Sequence, residues 1–390
     1  MFFNNKKMEI PLLPEKAKMQ ILIWRILTIF FLIVIITLAI LYGLGVGWKE
    51  EKKEEKEENP QEIPKESLLT LWKEGAESKK KLIEYMKTIT DKNNPKYIPP
   101  ESRIAVFDFD GTIFCETDTL YFDWLMYSYR ILNDSSYKDK ATEEQKQLAI
   151  DIKEADIHHL RPDIQMRHAR SYAKAYENMT YEELDAYTKN YMQLDALGFD
   201  NMKRGEAFYE PMVELIEYLQ ANDFLVYLCS GADRFVLRTV SRSRLNIPEN
   251  QIMGTMSTVV ATGQTNRSDF SYEYKDNDTL IVGGEFKFKN VKMNKVSLIK
   301  TEIGKKPVLS FGNSSGDYSM AKYVTSNNPY ESLAFMVCCD DIVNEYGDEE
   351  KATKMKTKCN ETERWVAVSM RDDWERIYGK NVRKKANREL

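Results

Sequence analysis

Two aspartates one residue apart, Asp108 and Asp110, are the first residues whose types and spacing suggest chemistry. They follow an apolar run, Ile104–Phe107, and precede a turn at Gly111 and Thr112. Such a run, ended by turn residues, is typical of a buried strand in a parallel sheet, and open α/β sheets bind ligands at the carboxyl ends of their strands. One carboxylate could attack phosphorus there, while the other could protonate the leaving oxygen and then activate water.

Two later apolar runs, at residues 224–229 and 307–311, are also predicted to be strands that end in polar turns. Because the carboxyl ends of parallel strands meet at one edge of a sheet, we expect these turns to lie beside Asp108. A hydroxyl, a lysine and backbone amides can hold phosphoryl oxygens, and carboxylate and amide oxygens favour Mg²⁺, a hard cation. The candidate groups are Ser230 and Gly231 after the first run, Asn313 and Asp317 after the second, and Lys292 or Lys295 shortly before the second.

With these motifs in this order, the chain resembles the phosphatase branch of the haloacid dehalogenase superfamily, with a helical cap inserted after the first motif. The resemblance covers about residues 100–340 and is closest to the phosphoserine and phosphocholine phosphatase groups. It implies a Mg²⁺-dependent phosphatase that hydrolyses a small phosphorylated metabolite through an aspartyl phosphate. The acid at Asp110 favours phosphate esters over halides, because a halide leaves without protonation.

The resemblance also implies roles for individual residues. Asp108 would be the nucleophile, Asp110 the acid/base, and Lys295, rather than the alternative Lys292, the lysine that neutralises the phosphoryl group. The phosphate-binding residues would be Gly111, Thr112, Ser230, Gly231 and Lys295, of which Ser230 and Lys295 also count as catalytic. The metal ligands would be Asp108, the backbone carbonyl of Asp110, Asn313 and Asp317.

One position departs from the family pattern, because Asn313 stands where the family often has Asp. An amide oxygen can still bind Mg²⁺, but it adds no charge. The departure supports a second hypothesis, a catalytically weak or inactive module that binds phosphate ligands on the same fold. The two-aspartate pattern also occurs in phosphomutases, so a phosphomutase or phosphotransferase is a third.

The candidates for substrate recognition are fewer. Glu116 stands one residue short of the position where phosphoserine phosphatases carry a glutamate that holds the substrate amine, and a solvated loop carboxylate is the alternative. Aromatic residues, Tyr121 and Trp124 among them, crowd the start of the predicted cap. They could surround a quaternary ammonium by cation–π attraction, or they could simply pack in the core of the cap.

The elements that must position these residues predict an α/β fold. We expect a Rossmann-like parallel sheet with helices on both faces, built from residues 100–119 and 206–390. A helical cap is predicted at residues 120–205, and a lead-in helix at 67–99, with helical apolar spacing from Ser67 to Thr90. Further strands are predicted at 331–337 and 365–370, and a hairpin within 252–290. Helices in the cap are predicted at 121–132, 142–155, 162–178 and 181–194, with capped starts at Thr142 and Thr180.

The N-terminal region predicts a membrane anchor. No charged residue occurs from Ile26 to Trp48, and about 20 apolar residues suffice to span a bilayer as a helix. We therefore predict a tail at residues 1–20, one transmembrane helix at 21–47 and a charged linker at 48–66, with a cleaved signal peptide as the alternative. A short basic tail before a single span favours a catalytic body outside the cytoplasm.

The composition bounds the remaining possibilities. The chain has 390 residues, which leaves room for two folded units. Its formal net charge is −5, so it lacks the general basic surface of a nucleic-acid-binding protein, and we predict no nucleic-acid partner. The five cysteines show no zinc-binding spacing.

Overall fold

The computed structural model describes residues 15–43, 68–157, 160–266 and 271–386. The chain divides into two units, Met1–Ile63 and Pro64–Leu390. In the first unit, helix α1 (Glu15–Gly43) begins within the predicted tail, and the predicted linker at 48–66 lies outside the described residues. Within the described ranges, no helix combines the length and apolarity that crossing a membrane requires.

The second unit alternates strands and helices along most of its length. Its helices are α2 (Glu77–Thr90), α3 (Phe122–Leu132), α4 (Glu143–Lys153), α5 (Pro162–Ala175), α6 (Tyr181–Met192), α7 (Glu210–Ala221), α8 (Arg234–Arg242), α9 (Met293–Leu298), α10 (Tyr318–Thr325), α11 (Glu349–Asn360) and α12 (Met370–Asp373). Its strands are β1 (Ile104–Phe107), β2 (Phe199–Asp200), β3 (Leu225–Asp233), β4 (Ile252–Ala261), β5 (Leu280–Phe288), β6 (Leu309–Gly312), β7 (Leu333–Cys338), β8 (Trp365–Ser369) and β9 (Arg383–Lys384).

Seven strands form one sheet in the order β5-β4-β3-β1-β6-β7-β8. Strand β1 lies in the middle and pairs in parallel with β3 and β6, while parallel pairing also joins β3 to β4, β6 to β7, and β7 to β8. The predicted hairpin is confirmed as β4 and β5, but it continues the same sheet, and β5 runs antiparallel to β4 at the edge. The α/β class is therefore confirmed, with a sheet that is mostly rather than wholly parallel.

Successive residues of β1 pack against different helices, because side chains alternate between the two faces of a strand. Val106 belongs to a buried cluster with Ile299 and with Met320 of α10. Phe107 belongs to a separate cluster that includes Leu215 of α7. Helices therefore cover both faces of the sheet, as predicted, and the central strand is buried along its whole length.

Helices α3 to α6 follow β1 and occupy the predicted cap. The predicted starts of α4 and α6 are confirmed: Thr142 and Thr180 each accept a hydrogen bond from the backbone amide three residues on, and that residue's side chain accepts from the threonine amide. Such a capping box satisfies two backbone donors that a helix N-terminus otherwise leaves unpaired.

Backbone hydrogen bonds join the cap to the edge of the sheet. The amide of Asn178 donates to the carbonyl of Val282 in β5 at 3.0 Å, and the amide of Val282 donates to the carbonyl of Met179 at 2.9 Å. The rings of Tyr181 in α6 and Phe235 in α8 also pack with centroids 4.0 Å apart. The β4–β5 hairpin is thus the support on which the cap rests.

The prediction of a helix from residue 67 is wrong for its first part, since α2 begins only at Glu77. The backbone before it is held by the body of the protein instead. The amide of Leu71 donates to the Glu214 carboxylate at 2.7 Å, and the indole of Trp72 donates to the carbonyl of Pro211 at 2.8 Å. The contact with Glu214 satisfies the backbone donor of Leu71 without a helix, and the Trp72 indole anchors the same segment to α7.

Candidate active site

The two aspartates of the first motif lie at the carboxyl end of the central strand. The amide of Asp108 donates to the carbonyl of Phe311 at 2.9 Å, so the sheet pairing with β6 extends to this residue. The chain then turns through Gly111, whose φ is +72°. A Cβ atom at Gly111 would lie 1.9 Å from Nδ2 of Asn313. Glycine therefore allows both the left-handed turn and the close approach of the fourth motif.

A buried lysine joins the first and fourth motifs. Lys295, from α9, is 2% exposed, and its Nζ contacts Oδ1 of Asp108 and lies 2.6 Å from Oδ1 of Asp317. Burial alone would lower the pKa of Lys295, but Asp108 and Asp317 hold that pKa above its ordinary value. Lys292, the alternative lysine, is exposed. Of the two candidates, Lys295 is the one that contacts both carboxylates.

The loop after β6 is organised around Asp317. Oδ2 of Asp317 accepts from the backbone amides of Asn313 and Ser314, each at 3.1 Å. The side-chain amide of Asn313 donates to Oε1 of Glu116 at 2.9 Å. Glu116 is buried, so the alternative of a solvated loop carboxylate is wrong. Burial, and then the charge of Asp108, raise the pKa of Glu116 to about 7, although Lys351 opposes the shift.

Asp110 lies in the same acidic environment and is almost fully buried. Burial, followed by repulsion from Asp123 and Asp108, raises the pKa of Asp110 well above that of an ordinary aspartate. Burial and the charge of Asp317 also raise the pKa of Asp108, while Lys295 opposes that shift. A carboxyl whose neutral form is favoured can donate a proton, which is what a leaving oxygen requires.

The end of β3 approaches the site through its backbone more than through its serine hydroxyl. Ser230 is fully buried, and its Oγ accepts from the amide of Ala232 at 3.1 Å. The side-chain amide of Asn290 donates to the Ser230 carbonyl at 3.0 Å and fixes this strand end. Gly231 and Ala232, rather than Ser230, line the adjoining cavity. Thr112 is likewise fully buried, with its Oγ1 3.5 Å from Oδ2 of Asp108.

A cavity of about 300 Å³ opens beside the two aspartates. It brings together most of the residues predicted from the sequence, namely Asp108, Asp110, Glu116, Gly231, Lys295, Asn313 and Asp317. Gly111, Thr112 and Ser230 lie behind them and do not line it. A larger cavity of about 540 Å³, lined by Lys203 and Arg244, contains none of these residues, so its size alone does not make it the candidate site.

Sequence reasoning missed three charged residues that also line this cavity, Asp123 of α3, Lys289 directly after β5 and Lys351 of α11. Asp123 and Lys289 are buried, whereas Lys351 is exposed. Asp123 lies in the first turn of α3, where acids are common because they offset the helix dipole, so its position in the sequence did not single it out. Trp124 beside it stacks on His168 with ring centroids 4.7 Å apart, which favours packing within the cap over an open aromatic box.

The residues at the first and fourth motifs suit a magnesium ion in their donor chemistry. Lys295 contacts Oδ1 of Asp108, and Oδ2 is left with the 3.5 Å contact to Thr112, so one carboxylate oxygen is available to a cation. The Asn313 side chain lies beside it and lines the same cavity. Among the described residues, no group of three or more His, Cys, Asp or Glu side chains is arranged to hold a metal. The site therefore offers a carboxylate oxygen from Asp108 and an amide oxygen from Asn313, and Mg²⁺ binds oxygen ligands of both kinds.

The model of one known protein family matches most of the second unit of the chain. Residues 105–322, more than half of the chain, match the model described as haloacid dehalogenase-like hydrolase. A comparison with curated proteins found no match.

Solved structures also resemble the chain. A functionally unknown protein from Anaerococcus prevotii DSM 20548 is 14% identical, with a TM-score of 0.47, covering 77% of this chain and 92% of its own. A phosphoserine phosphohydrolase-like protein from Francisella tularensis subsp. tularensis SCHU S4 is 14% identical, with a TM-score of 0.37, covering 68% and 94%. Cytosolic 5'-nucleotidase IIIB bound to cytidine is 13% identical, with a TM-score of 0.43, covering 78% and 88%.

The contacts of Lys295 with two buried aspartates predict that it contributes to the free energy of unfolding. Lys295→Met should lower the free energy of unfolding by about 3–5 kcal/mol, because removing one partner of a buried ion pair leaves the others unpaired. Urea denaturation of the full-length chain measures this change. The matched control is Lys292→Met at the exposed neighbouring lysine, which should change stability by less than about 0.5 kcal/mol.

A double variant separates charge from packing. Adding Asp108→Asn to Lys295→Met removes one of the two unpaired carboxylates, so part of the lost stability should return. If Lys295→Met unfolds at the same urea concentration as the unaltered chain, Lys295 does not hold the two aspartates together.

Proposed function

Because the chain belongs to the haloacid dehalogenase-like hydrolase family, we propose that it is a phosphatase that hydrolyses a small phosphomonoester through a phosphorylated Asp108. The observation that carries the proposal is the contact of Lys295 with both Asp108 and Asp317, beside an Asp110 whose neutral form is favoured. Together they provide a nucleophile, a cation for the phosphoryl oxygens and a proton donor at one cavity.

The proposed reaction has two steps. A carboxylate oxygen of Asp108 attacks phosphorus, the bond from phosphorus to the ester oxygen breaks, and Asp110 gives its proton to that oxygen. Asp110, now a carboxylate, then takes a proton from water as the water attacks the phosphorylated Asp108. Inorganic phosphate leaves, and both aspartates return to their starting forms. Lys295 offsets the negative charge of the phosphoryl group in both steps.

Enzymes of this family generally use Mg²⁺, and we include it in the proposal. Oδ2 of Asp108, the backbone carbonyl of Asp110 and the side-chain oxygen of Asn313 would hold the ion. When bound, it would add positive charge beside the phosphoryl oxygens. Asp317 is better suited to position this loop, because Lys295 and the amides of Asn313 and Ser314 already occupy its oxygens.

The first prediction from this proposal concerns the nucleophile. Asp108→Asn should reduce hydrolysis of p-nitrophenyl phosphate by the full-length chain at least about 10³-fold, because an amide cannot form the acyl phosphate. EDTA should abolish turnover by the unaltered chain, and added Mg²⁺ should restore it. Circular dichroism of the variant checks that its fold is retained.

Two outcomes would favour the other hypotheses. If the unaltered chain binds phosphate esters but turns none over, the binding module suggested by Asn313 is favoured. Undiminished turnover in Asp108→Asn would contradict the proposed nucleophile. Transfer of the phosphoryl group to an added alcohol at the expense of hydrolysis would identify a phosphotransferase.

We also propose that α1 attaches the protein to a membrane, with its catalytic unit outside the cytoplasm. Large apolar side chains on α1 are exposed, including Trp24 at 71%, Phe30 at 61% and Phe31 at 63%, and water is a poor solvent for such a surface. Neighbouring Ile33 and Ile36 are exposed as well. A bilayer would cover this surface.

The membrane proposal is tested by fractionation. The full-length chain should remain in the membrane pellet after alkaline carbonate extraction, and protease added to intact cells should digest its catalytic unit. A chain with Phe30→Lys, Phe31→Lys and Ile33→Lys should move to the soluble fraction, because charged side chains on an apolar surface in contact with a bilayer are costly. Recovery of the unaltered chain in the soluble fraction would contradict the attachment.

A further inference from the structure

The cavity beside Asp108 extends away from the phosphoryl-transfer residues toward the cap, where it meets charged and polar groups that the reaction does not use. Asp123 of α3, Gln165 of α5 and Lys289 after β5 line this part of it. At about 300 Å³ the cavity is at the lower end of the range for small-molecule sites, about 300–1,000 Å³. It can therefore hold a phosphoryl group together with a small leaving group.

Lys289 is a buried cation on the sheet side of the cavity. It is 7% exposed, and it forms no ion pair with the residues that the structure describes. Its Nζ lies 5.7 Å from the ring centroid of Trp124, a cation–π contact. A charged group this deeply buried is expected to have a strong hydrogen-bond partner, and a ligand in the cavity would provide one.

Asp123, on the cap side of the cavity, has a carboxylate oxygen that the described residues leave without a hydrogen bond. It is 3% exposed, and its Oδ2 accepts from the amide of Asp233 at 3.1 Å. Its Oδ1 is buried and accepts no hydrogen bond from any of the described residues. The cavity thus has an unpaired acceptor on the cap and an unpaired donor on the sheet side.

The charges around Lys289 restrict what can bind there. Asp110, Asp123 and Asp233 all act on Lys289 electrostatically. A second anionic group of the substrate would contact Lys289 but would also be repelled by the carboxylates of Asp123 and Asp233. A quaternary ammonium would be repelled by Lys289, which already occupies the face of Trp124. A hydroxyl group avoids both penalties, since it donates to a carboxylate and accepts from an ammonium.

We propose that Lys289, Asp123 and Gln165 bind the hydroxyl groups of the leaving group, so that the substrates are phosphomonoesters of polyols or sugars. The inference rests on the proposed phosphatase function and names the substrate class of the same site. Lys289 donates to one hydroxyl oxygen and Asp123 accepts from a hydroxyl proton. Gln165, which is half-buried and has both a donor and an acceptor, serves a further hydroxyl.

The test compares esters of six-carbon alcohols with and without hydroxyl groups. Sorbitol 6-phosphate and n-hexyl phosphate are assayed with the full-length chain, alongside phosphoserine, phosphocholine and p-nitrophenyl phosphate. We expect kcat/KM for sorbitol 6-phosphate to exceed that for n-hexyl phosphate by at least about tenfold, because buried polar groups reject analogues that lack their hydrogen-bond partners. Equal values for the two esters, or a preference for phosphoserine or phosphocholine, would overturn the proposal.

Lys289→Met tests the assigned contact. It should lower kcat/KM for sorbitol 6-phosphate by about 10- to 100-fold, the range for a lost hydrogen bond to a charged group. The loss should be at least about tenfold larger for sorbitol 6-phosphate than for p-nitrophenyl phosphate, which has no aliphatic hydroxyls. The matched control is Lys287→Met, an exposed lysine two residues earlier on β5, which should leave both values unchanged. An equal loss on both esters in Lys289→Met would assign Lys289 a role in folding or chemistry instead.

Binding separates failure of this inference from failure of the phosphatase proposal. If no ester is hydrolysed, the phosphatase proposal fails, and calorimetric titration of sorbitol 6-phosphate still measures recognition. The unaltered chain should then bind it at least about tenfold more tightly than Lys289→Met does. Equal affinity in the two proteins would overturn the assignment of Lys289, whatever the outcome for hydrolysis.

Discussion

The ammonium of Lys295, held between Asp108 and Asp317, is the interaction on which the rest of the site depends. All three groups are buried, and each comes from a different segment: the end of β1, helix α9 and the loop after β6. Buried charges are costly when unpaired, so the fold must bring these segments together for any of them to be tolerated. The parallel pairing of β1 with β6 does this, because it places the ends of both strands at the same edge of the sheet.

Under the proposed function, the same constraint gives the cap a role. Phosphoryl transfer needs an environment in which carboxylates and a lysine act on each other without competing water. The cap closes one side of that environment through α3, and the β4–β5 hairpin supports it through backbone bonds between Val282 and the residues after α5. Because Lys289 directly follows β5, the segment that supports the cap also brings a charged group to the cavity. Under the proposed assignment of Lys289, strand β5 therefore links the position of the cap to recognition of the leaving group.

Much of this arrangement follows from sequence, because it depends on local rules. Apolar runs ended by turn residues located the three strand ends, and strand order placed Asp108 near Asp317. The family resemblance already favoured Lys295 over Lys292, but the physical reason, burial of Lys295 between two carboxylates, is set by tertiary packing. Asp123 and Lys289 were missed for a similar reason, since they lie some 166 positions apart in the chain. Only the packing of the cap on the β4–β5 hairpin brings both of them to one cavity. The start of α2 was misplaced because Glu214, from a distant helix, binds the backbone that precedes it.

The central claim is that Asp108 carries the phosphoryl group during turnover, and trapping that group on the protein tests it most directly. The full-length chain would be mixed with substrate and Mg²⁺, quenched in acid within the turnover time, and digested for mass spectrometry, because acyl phosphates survive acid better than neutral solution. We predict a phosphoryl adduct on Asp108 that hydroxylamine removes, and none in Asp108→Asn. Steady turnover with no adduct, or with an adduct on another residue, would contradict the account.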